Sequence, residues 1–333
     1  MVYNHIENVK ELLLKDNITD AIDYSKNDPF KVIEPYFQFC QQNLSEECGE
    51  FDIQPARIYI RGRLEVNAAA TRTANHSIIA INYGLIPHLF KFFTYGDSIF
   101  EKEELQAYQS LDKTFDLDLL SFQLTTQFTY YHELAHLIQR SPIQNFWLDE
   151  LYAKYIKEGD GYSLNKHVYE FDADLHGAGN EALHMIDYWK RLENSLQTST
   201  HLGMLLSVGA GAILSYFLLL MEKYANIYYK AGDHPHPIVR IAYIVDMFVK
   251  TAQINLPEGI VLDSKDILSR AFRFAQLWFE QEKIKEQAVK EFAKFFLNEG
   301  QNIADYINNV LIPESLKYPE LVMNRLNSSN TPT

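Results

Sequence analysis

The chain has 333 residues, of which 47% are hydrophobic, and it carries a formal net charge of −14. This length and apolar content indicate a globular protein with one large domain or two modest ones, and they exclude an intrinsically disordered chain. The acidic balance, without a basic stripe, argues against a duplex nucleic-acid binder, because such proteins neutralise phosphates with Lys and Arg. We therefore expect no nucleic-acid partner.

Cysteine usage and the N-terminal sequence favour a cytoplasmic protein. Cys40 and Cys48 are too few for a disulfide framework and do not form a Cys-x-x-Cys motif. The N-terminal sequence MVYNHIENVKELLLKDN has acidic and amide residues where a signal peptide needs an unbroken apolar stretch. We expect reduced thiols and no export.

Residues 1–55 have apolar positions at helical spacing and predict an N-terminal helical region. From Ala56 the pattern changes to two short β-branched runs, ARIYI and SIIAINY, separated by a polar stretch from Asn67 to His76. These runs predict strands of a small sheet. If the strand at Ile78 to Asn82 lies at a sheet edge, its main chain could bind an extended peptide.

The most informative motif is HELAH at residues 132–136, which has the form His-Glu-x-x-His. Apolar residues recur at spacings of three and four from Leu120 to Ile138, which predicts that the motif lies within a long helix capped by Asp116 or Asp118. Two imidazoles four residues apart project from one helical face and can share a zinc ion. Glu133 can then serve as the general base of a peptidase.

A catalytic zinc needs three protein ligands and one open position, so His132 and His136 require a third ligand. The longer motif His-Glu-x-x-His-x-x-Gly-x-x-His is excluded, because Gln139 and Pro142 stand where that motif needs Gly and His. We therefore expect a carboxylate from a second helix.

The acidic segment YEFDAD at residues 169–174 offers that carboxylate. Glu170 and Asp174 are four residues apart and share a helical face, so one can reach the metal while the other accepts a hydrogen bond from a ligand histidine. Glu170 is our choice for the ligand, and Asp174 or Glu150 are the alternatives.

Residues 202–221, LGMLLSVGAGAILSYFLLLM, form an uncharged stretch that is long enough to cross a bilayer as a helix. A single crossing would separate the zinc helix from the later residues of the site, and the flanking basic residues show no one-sided excess. We prefer a buried core helix. Small residues recur every four positions and give it a face for close packing: Gly203, Ser207, Gly211 and Ser215.

The segment DHPHPIVRI at residues 233–241 begins with a proline-rich turn and continues into an amphipathic helix. Residues 251–326 have alternating charge and predict a C-terminal helical region, and residues 327–333 predict a disordered tail. The histidines outside these motifs are interpreted as ordinary core or surface residues.

Four blocks, in this order, resemble the gluzincin metallopeptidases of the M48 clan, which include the CAAX-prenyl endopeptidases and the bacterial heat-shock membrane protease. The blocks are NAAATRTANHSIIAINYGL, YYHELAHLI, YEFDADLHGAG and DHPHPIVRI, and they lie between Ala56 and Val245. The soluble minimal members are most similar, and the outline also resembles the phage-exclusion peptidase Lit. The resemblance implies an α+β, predominantly helical fold. In it a zincin-like catalytic core at residues 56–250 has a small β-sheet over the zinc helix.

The resemblance also implies the roles of individual residues. It makes Glu133 the general base and places Asp174 behind the ligand histidines. His234 and Arg240, which are six residues apart, are placed near the substrate. The chain departs from the family in a longer insertion before the zinc helix and in the region 251–326. The implied ligands of Zn²⁺ are His132, His136 and Glu170.

The sequence thus predicts a zinc-dependent metalloendopeptidase that acts on a peptide or protein substrate. Glu133 would take a proton from the attacking water and pass it to the departing amine. His234 or Arg240 would donate to the developing oxyanion. The alternatives are a membrane-associated M48-type protease and a catalytically silent, zinc-stabilised binding or regulatory module.

Overall fold

The computed structural model describes residues 9–139, 148–149, 161–221 and 227–329, apart from residues 11, 13 and 27. Helices predominate in this part of the chain and a small sheet accompanies them, which agrees with the predicted α+β class. The helices are α1 (Ile33–Glu50), α2 (Leu85–Thr94), α3 (Gln109–Phe115), α4 (Leu117–Ile138), α5 (Leu164–Lys190), α6 (Ser199–Leu220), α7 (Pro237–Asn255), α8 (Ser264–Gln281), α9 (Glu286–Tyr306), α10 (Ile312–Ser315) and α11 (Val322–Ser329).

Shorter helical turns connect several of these helices. A π-helical turn joins α9 to α10 and spans Ile307–Leu311. Turns of 3₁₀ helix lie at Tyr24–Lys26, Ile99–Glu101, Glu103–Tyr108 and Asn194–Leu196.

The sheet is mixed, and its strand order is β1-β3-β2-β4. β3 runs parallel to β1 and antiparallel to β2, and β2 pairs with β4 in antiparallel fashion. The two predicted strands are confirmed as β1 and β3. The strands are β1 (Ala56–Arg61), β2 (Ala68–Arg72), β3 (Ser77–Asn82) and β4 (Leu148–Asp149).

Strand β2 lies in the stretch that we interpreted only as polar. Its residues Ala68, Ala69 and Ala70 are buried, and β2 packs against helix α4. Alanine has a weak intrinsic preference for strands, so the pairing with β3 and the cover of α4 form this strand rather than local propensity.

The prediction that Ile78 to Asn82 could offer a free edge to a peptide is wrong. Ala80 of β3 is paired with Tyr59 of β1 on one side and with Ala69 of β2 on the other. An interior strand uses its main-chain donors and acceptors within the sheet, so β3 has none left for a substrate.

Helix α4, which carries the HELAH motif, lies in the middle of the hydrophobic core. It packs against α2, α5, α6 and β2, and every residue from Phe128 to Ile138 is buried. Its buried hydroxyls donate to carbonyl groups four residues earlier, as Ser121 does to Leu117. The predicted long helix is confirmed, and its burial extends well beyond the apolar stripe that the sequence indicated.

The apolar helix α6 is covered by α4, α5, α7 and α8. Its mean hydropathy of 2.0 would suit a membrane span, but 89% of the apolar window is buried inside the protein. Helix α6 approaches α8 closely at Gly211, where an added Cβ would stand 2.9 Å from the Cβ of Phe274. Gly203 lies on the same predicted face but has room, since an added Cβ would meet Leu262 only at 3.8 Å.

One contiguous hydrophobic core includes residues from the N-terminal helical region, from the catalytic region and from the C-terminal helical region that the sequence predicts. Phe37, Ile60, Phe248, Trp278 and Val322 all belong to it. The C-terminal helices pack on the rest, with α8 against α6 and α11 against α5. Helix α11 continues to Ser329, which lies within the segment 327–333.

Candidate metal centre

The first two candidate ligands are held by the regular geometry of α4. Asp116 caps the start of this helix and accepts a hydrogen bond from the Leu119 main-chain N–H at 3.1 Å, which confirms one of the two predicted caps. His132 and His136 follow one turn apart near its end, and they are 1% and 3% exposed. Both rings therefore point into the protein interior.

The third candidate ligand comes from α5, which packs closely against α4. An added Cβ at Gly177 would stand 3.0 Å from the ring of Phe128, so the glycine permits a short distance between the two helices. Glu170 lies on α5 and is also buried. Close packing of the two helices lets a carboxylate from α5 reach the imidazoles of α4.

The three side chains converge on one point. Their ligand atoms lie within 4.8 Å of one another. His132 Nε2 is 3.0 Å from His136 Nε2 and 3.3 Å from Glu170 Oε2, and His136 Nε2 is 3.4 Å from Glu170 Oε1. Donor atoms around a tetrahedral zinc with bonds of about 2.05 Å stand about 3.3 Å apart. The group can therefore bind a metal ion of this size.

The alternatives for the third ligand differ in their placement. Asp174 faces the other ring nitrogen of His132, at 3.0 Å from Nδ1, and so stands behind the ligand rather than at the metal side. Glu150 lies outside the described residues.

Asp174 is itself fixed on several sides. Arg240 donates to it through Nε at 2.8 Å and through a terminal guanidinium nitrogen at 2.7 Å, and the Tyr243 hydroxyl donates to Oδ2 at 2.5 Å. Burial alone would raise the pKa of Asp174, but Arg240 and His132 bring it down to about 2. A fixed carboxylate on Nδ1 keeps that nitrogen protonated and leaves the Nε2 lone pair of His132 free for a metal.

Arg240, which the family resemblance places near the substrate, contacts Asp174. It is 4% exposed, its guanidinium lies 3.9 Å from the centre of the Phe217 ring, and it donates two hydrogen bonds to Asp174. The structure therefore places its charge behind His132, with Asp174 between them.

His234 reaches the metal group from the turn before α7. Its Nε2 lies 3.4 Å from Glu170 Oε2, and its side chain is 18% exposed. The turn is attached to α5, because His167 Nε2 lies 3.1 Å from the Ala231 carbonyl oxygen and Lys166 Nζ lies 2.7 Å from Asp233 Oδ2. His236 is buried and caps α7, because its Nδ1 accepts from the Ile238 main-chain N–H at 3.1 Å.

Glu133, the predicted base, directly follows His132 on α4 and is fully buried. The structure thus keeps all three predicted functional residues of the HELAH motif inside the core.

The electrostatics favour an anionic Glu170 and a neutral His136, whereas His132 holds a proton that a metal would displace. Burial would raise the pKa of Glu170, but His234, His136 and His132 bring it well below its ordinary value. Burial lowers the pKa of His136. Burial would also lower the pKa of His132, but hydrogen bonds with Asp174 and Glu170 raise it well above the ordinary value. Glu170 is thus held as an anion and His136 as a neutral base.

Gln139 is a residue of the site that sequence reasoning missed. It had served only to exclude the longer zinc motif, yet its Oε1 lies 2.9 Å from His136 Nδ1. The sequence held one indication of this contact. Gln139 follows His136 by three residues, and residues three apart share a helix face.

No protein-family model, curated protein or solved structure matches the chain. The gluzincin assignment therefore stays a prediction from the residue pattern.

Proposed function

We propose that the chain is a zinc-dependent metalloendopeptidase of the gluzincin type, with a zincin-like catalytic core. The observation that carries this proposal is the convergence of His132, His136 and Glu170 within 4.8 Å, with Glu133 beside the first of them. Three protein donors and an adjacent carboxylate are the composition of a hydrolytic rather than a structural zinc site.

The donor set favours zinc among the common metals. Two imidazole nitrogens and one carboxylate suit Zn²⁺, whereas Mg²⁺ and Ca²⁺ prefer oxygen donors. The Nδ1 atom of each ligand ring also has an oxygen partner: Asp174 Oδ1 lies 3.0 Å from that of His132, and Gln139 Oε1 lies 2.9 Å from that of His136. Such outer contacts orient metal-binding histidines.

Zinc at this position would lower the pKa of a bound water and polarise a peptide carbonyl. Glu133 would accept the proton that the attacking water loses, and would later donate it to the leaving amine nitrogen as the peptide C–N bond breaks. His234, at the more exposed side of Glu170, would donate a hydrogen bond to the oxyanion. We now assign Arg240 to holding Asp174 rather than to the substrate.

A second candidate is a catalytically silent, zinc-stabilised module. It is favoured by the distance of 3.4 Å between His234 Nε2 and Glu170 Oε2, which would let His234 serve as a fourth ligand and close the site. The buried Glu133 favours the peptidase, because a closed structural site does not use a base.

The proposed substrate is a peptide or protein, and the proposed location is the cytoplasm. The membrane-associated alternative rests on α6, whose burial among other helices makes it the weaker proposal. Sedimentation with membranes after an alkaline wash would support that alternative.

The proposal is tested by zinc analysis and by mapping new N-termini in cells that express the wild-type protein or Glu133→Gln. We expect one equivalent of zinc in both proteins, and new N-termini with the wild type only. A Glu170→Gln variant should lose zinc, whereas Glu181→Gln, at another fully buried glutamate of α5, should retain it. Zinc-free wild-type protein would contradict the proposal.

A further inference from the structure

A series of polar contacts links the side of His136 that faces away from the metal group to helix α11. Its Nδ1 lies 2.9 Å from Gln139 Oε1. The amide nitrogen of Gln139 donates to the Tyr169 carbonyl oxygen at 2.8 Å and to Asp172 Oδ2 at 3.0 Å. Gln139 is fully buried and Asp172 is 2% exposed, so water does not supply these contacts.

The partners of Gln139 determine which way its amide points. A main-chain carbonyl and a carboxylate accept hydrogen bonds and cannot donate them. The amide nitrogen must therefore face Tyr169 and Asp172, and the amide oxygen must face His136. An oxygen accepts, so His136 Nδ1 carries the proton and its Nε2 lone pair is left for a metal.

Asp172 is in turn fixed by the start of α11. Its Oδ2 accepts from the Val322 main-chain N–H at 2.9 Å, and its Oδ1 accepts from the Met323 main-chain N–H at 3.0 Å. These are the donors that a helix leaves unpaired at its N-terminus, where a negative charge is favoured. A second contact nearby, from the Tyr169 hydroxyl to Glu320, holds the same two chain segments together.

We propose that Gln139 and Asp172 are positioning residues that set the tautomer of His136, and that α11 fixes them through its first main-chain N–H groups. The inference rests on the metal centre proposed above. It gives helix α11 a role at the metal centre, although this helix begins about 190 residues after the HELAH motif.

Removal of the acceptor that faces His136 provides the test. In Gln139→Met no oxygen stands opposite Nδ1, so the ring proton is no longer held there and can move to Nε2, where it blocks the metal. In Asp172→Asn the amide oxygen can still accept from Gln139 and Val322, while the new NH₂ group faces the Met323 main-chain N–H. This second variant therefore keeps the orientation of Gln139 and weakens its attachment to α11.

The measurements are the zinc affinity by competition with a chromophoric chelator, and the His136 ring tautomer by ¹⁵N NMR of the metal-free protein. We expect Gln139→Met to weaken zinc binding by about 10- to 100-fold. In this variant the fraction of His136 rings protonated at Nε2 should rise. Asp172→Asn should leave the ring proton on Nδ1 and weaken zinc binding by about tenfold, because one hydrogen bond to α11 is lost.

Gln123→Met, also on α4, is the matched control, because it removes the amide oxygen that accepts a hydrogen bond from the Tyr188 hydroxyl. It should bind zinc like the wild type. Should Asp172→Asn fail to fold, the comparison of Gln139→Met with Gln123→Met decides alone. Equal zinc affinity in those two variants, or an unchanged His136 tautomer in Gln139→Met, would overturn the inference. Absence of zinc from the wild type would instead overturn the proposed function.

Discussion

His132 Nδ1 lies 3.0 Å from Asp174 Oδ1, and the same carboxylate is clamped by Arg240 from the other side. All three side chains are buried. Arg240 therefore affects His132, which would bind the metal, through the carboxylate of Asp174 that lies between them. This arrangement gives Asp174 two separable effects, on metal affinity and on stability.

Asp174→Asn should lower the zinc affinity by about 10- to 100-fold, because the group that faces His132 loses its negative charge and its amide NH₂ must face one of the donors that now surround the carboxylate. It should also lower the free energy of unfolding by about 3–5 kcal/mol, because Arg240 is left buried without its anion. Chelator competition and urea unfolding measure the two effects. Tyr243→Phe, which removes only a hydroxyl donor to Asp174, is the control and should cost about 1 kcal/mol. Wild-type zinc affinity in Asp174→Asn would contradict this account.

His234→Ala separates the two candidate functions. If His234 donates to the oxyanion, kcat should fall by about 100- to 1,000-fold while the zinc content is unchanged. If His234 is instead a fourth ligand, the zinc affinity should fall. Peptide hydrolysis and zinc titration of the same preparation distinguish these outcomes.

Glu181 predicts a pH dependence that does not involve the metal. Burial raises its pKa well above the ordinary value, so the native state holds a proton that the unfolded state releases above about pH 4.3. The unfolded state then binds fewer protons, and this residue lowers stability as the pH rises. Glu181→Gln should therefore gain stability relative to the wild type between about pH 5 and pH 7, by up to about 1.4 kcal/mol per pH unit. Urea unfolding at both pH values measures it, and a constant difference would contradict the prediction.

The packing of α6 can be tested with two glycines of the same helix. Gly211→Ala places a methyl group 2.9 Å from Phe274 Cβ and should cost about 1–3 kcal/mol through overpacking. Gly203→Ala has space and should be neutral or stabilising by up to about 1 kcal/mol. Thermal unfolding of the purified proteins gives both values. Equal effects would mean that α6 does not pack as described.

Much of the centre could be predicted because its residues are close in sequence. The four-residue spacing of His132 and His136 on one helix, and of Glu170 and Asp174 on another, is a local property of helices. The family resemblance supplied the pairing of these helices, which spacing alone left open between Glu170, Asp174 and Glu150.

The remaining contacts could not be predicted, since they depend on segments that meet only in the folded chain. Asp172 accepts from Val322, 150 residues away in sequence, and nothing near either residue indicates the contact. The interior position of β3 likewise depends on β2, an alanine-rich strand without a strand-forming composition. The contact between Arg240 and Asp174 likewise joins two helices that are far apart in sequence.

The central claim is most directly tested by zinc content and peptide hydrolysis measured together for the wild type and Glu133→Gln. The account predicts one equivalent of zinc in both proteins and a loss of hydrolysis of at least about 100-fold in the variant. Hydrolysis that survives in Glu133→Gln, or wild-type protein that binds no zinc, would contradict it.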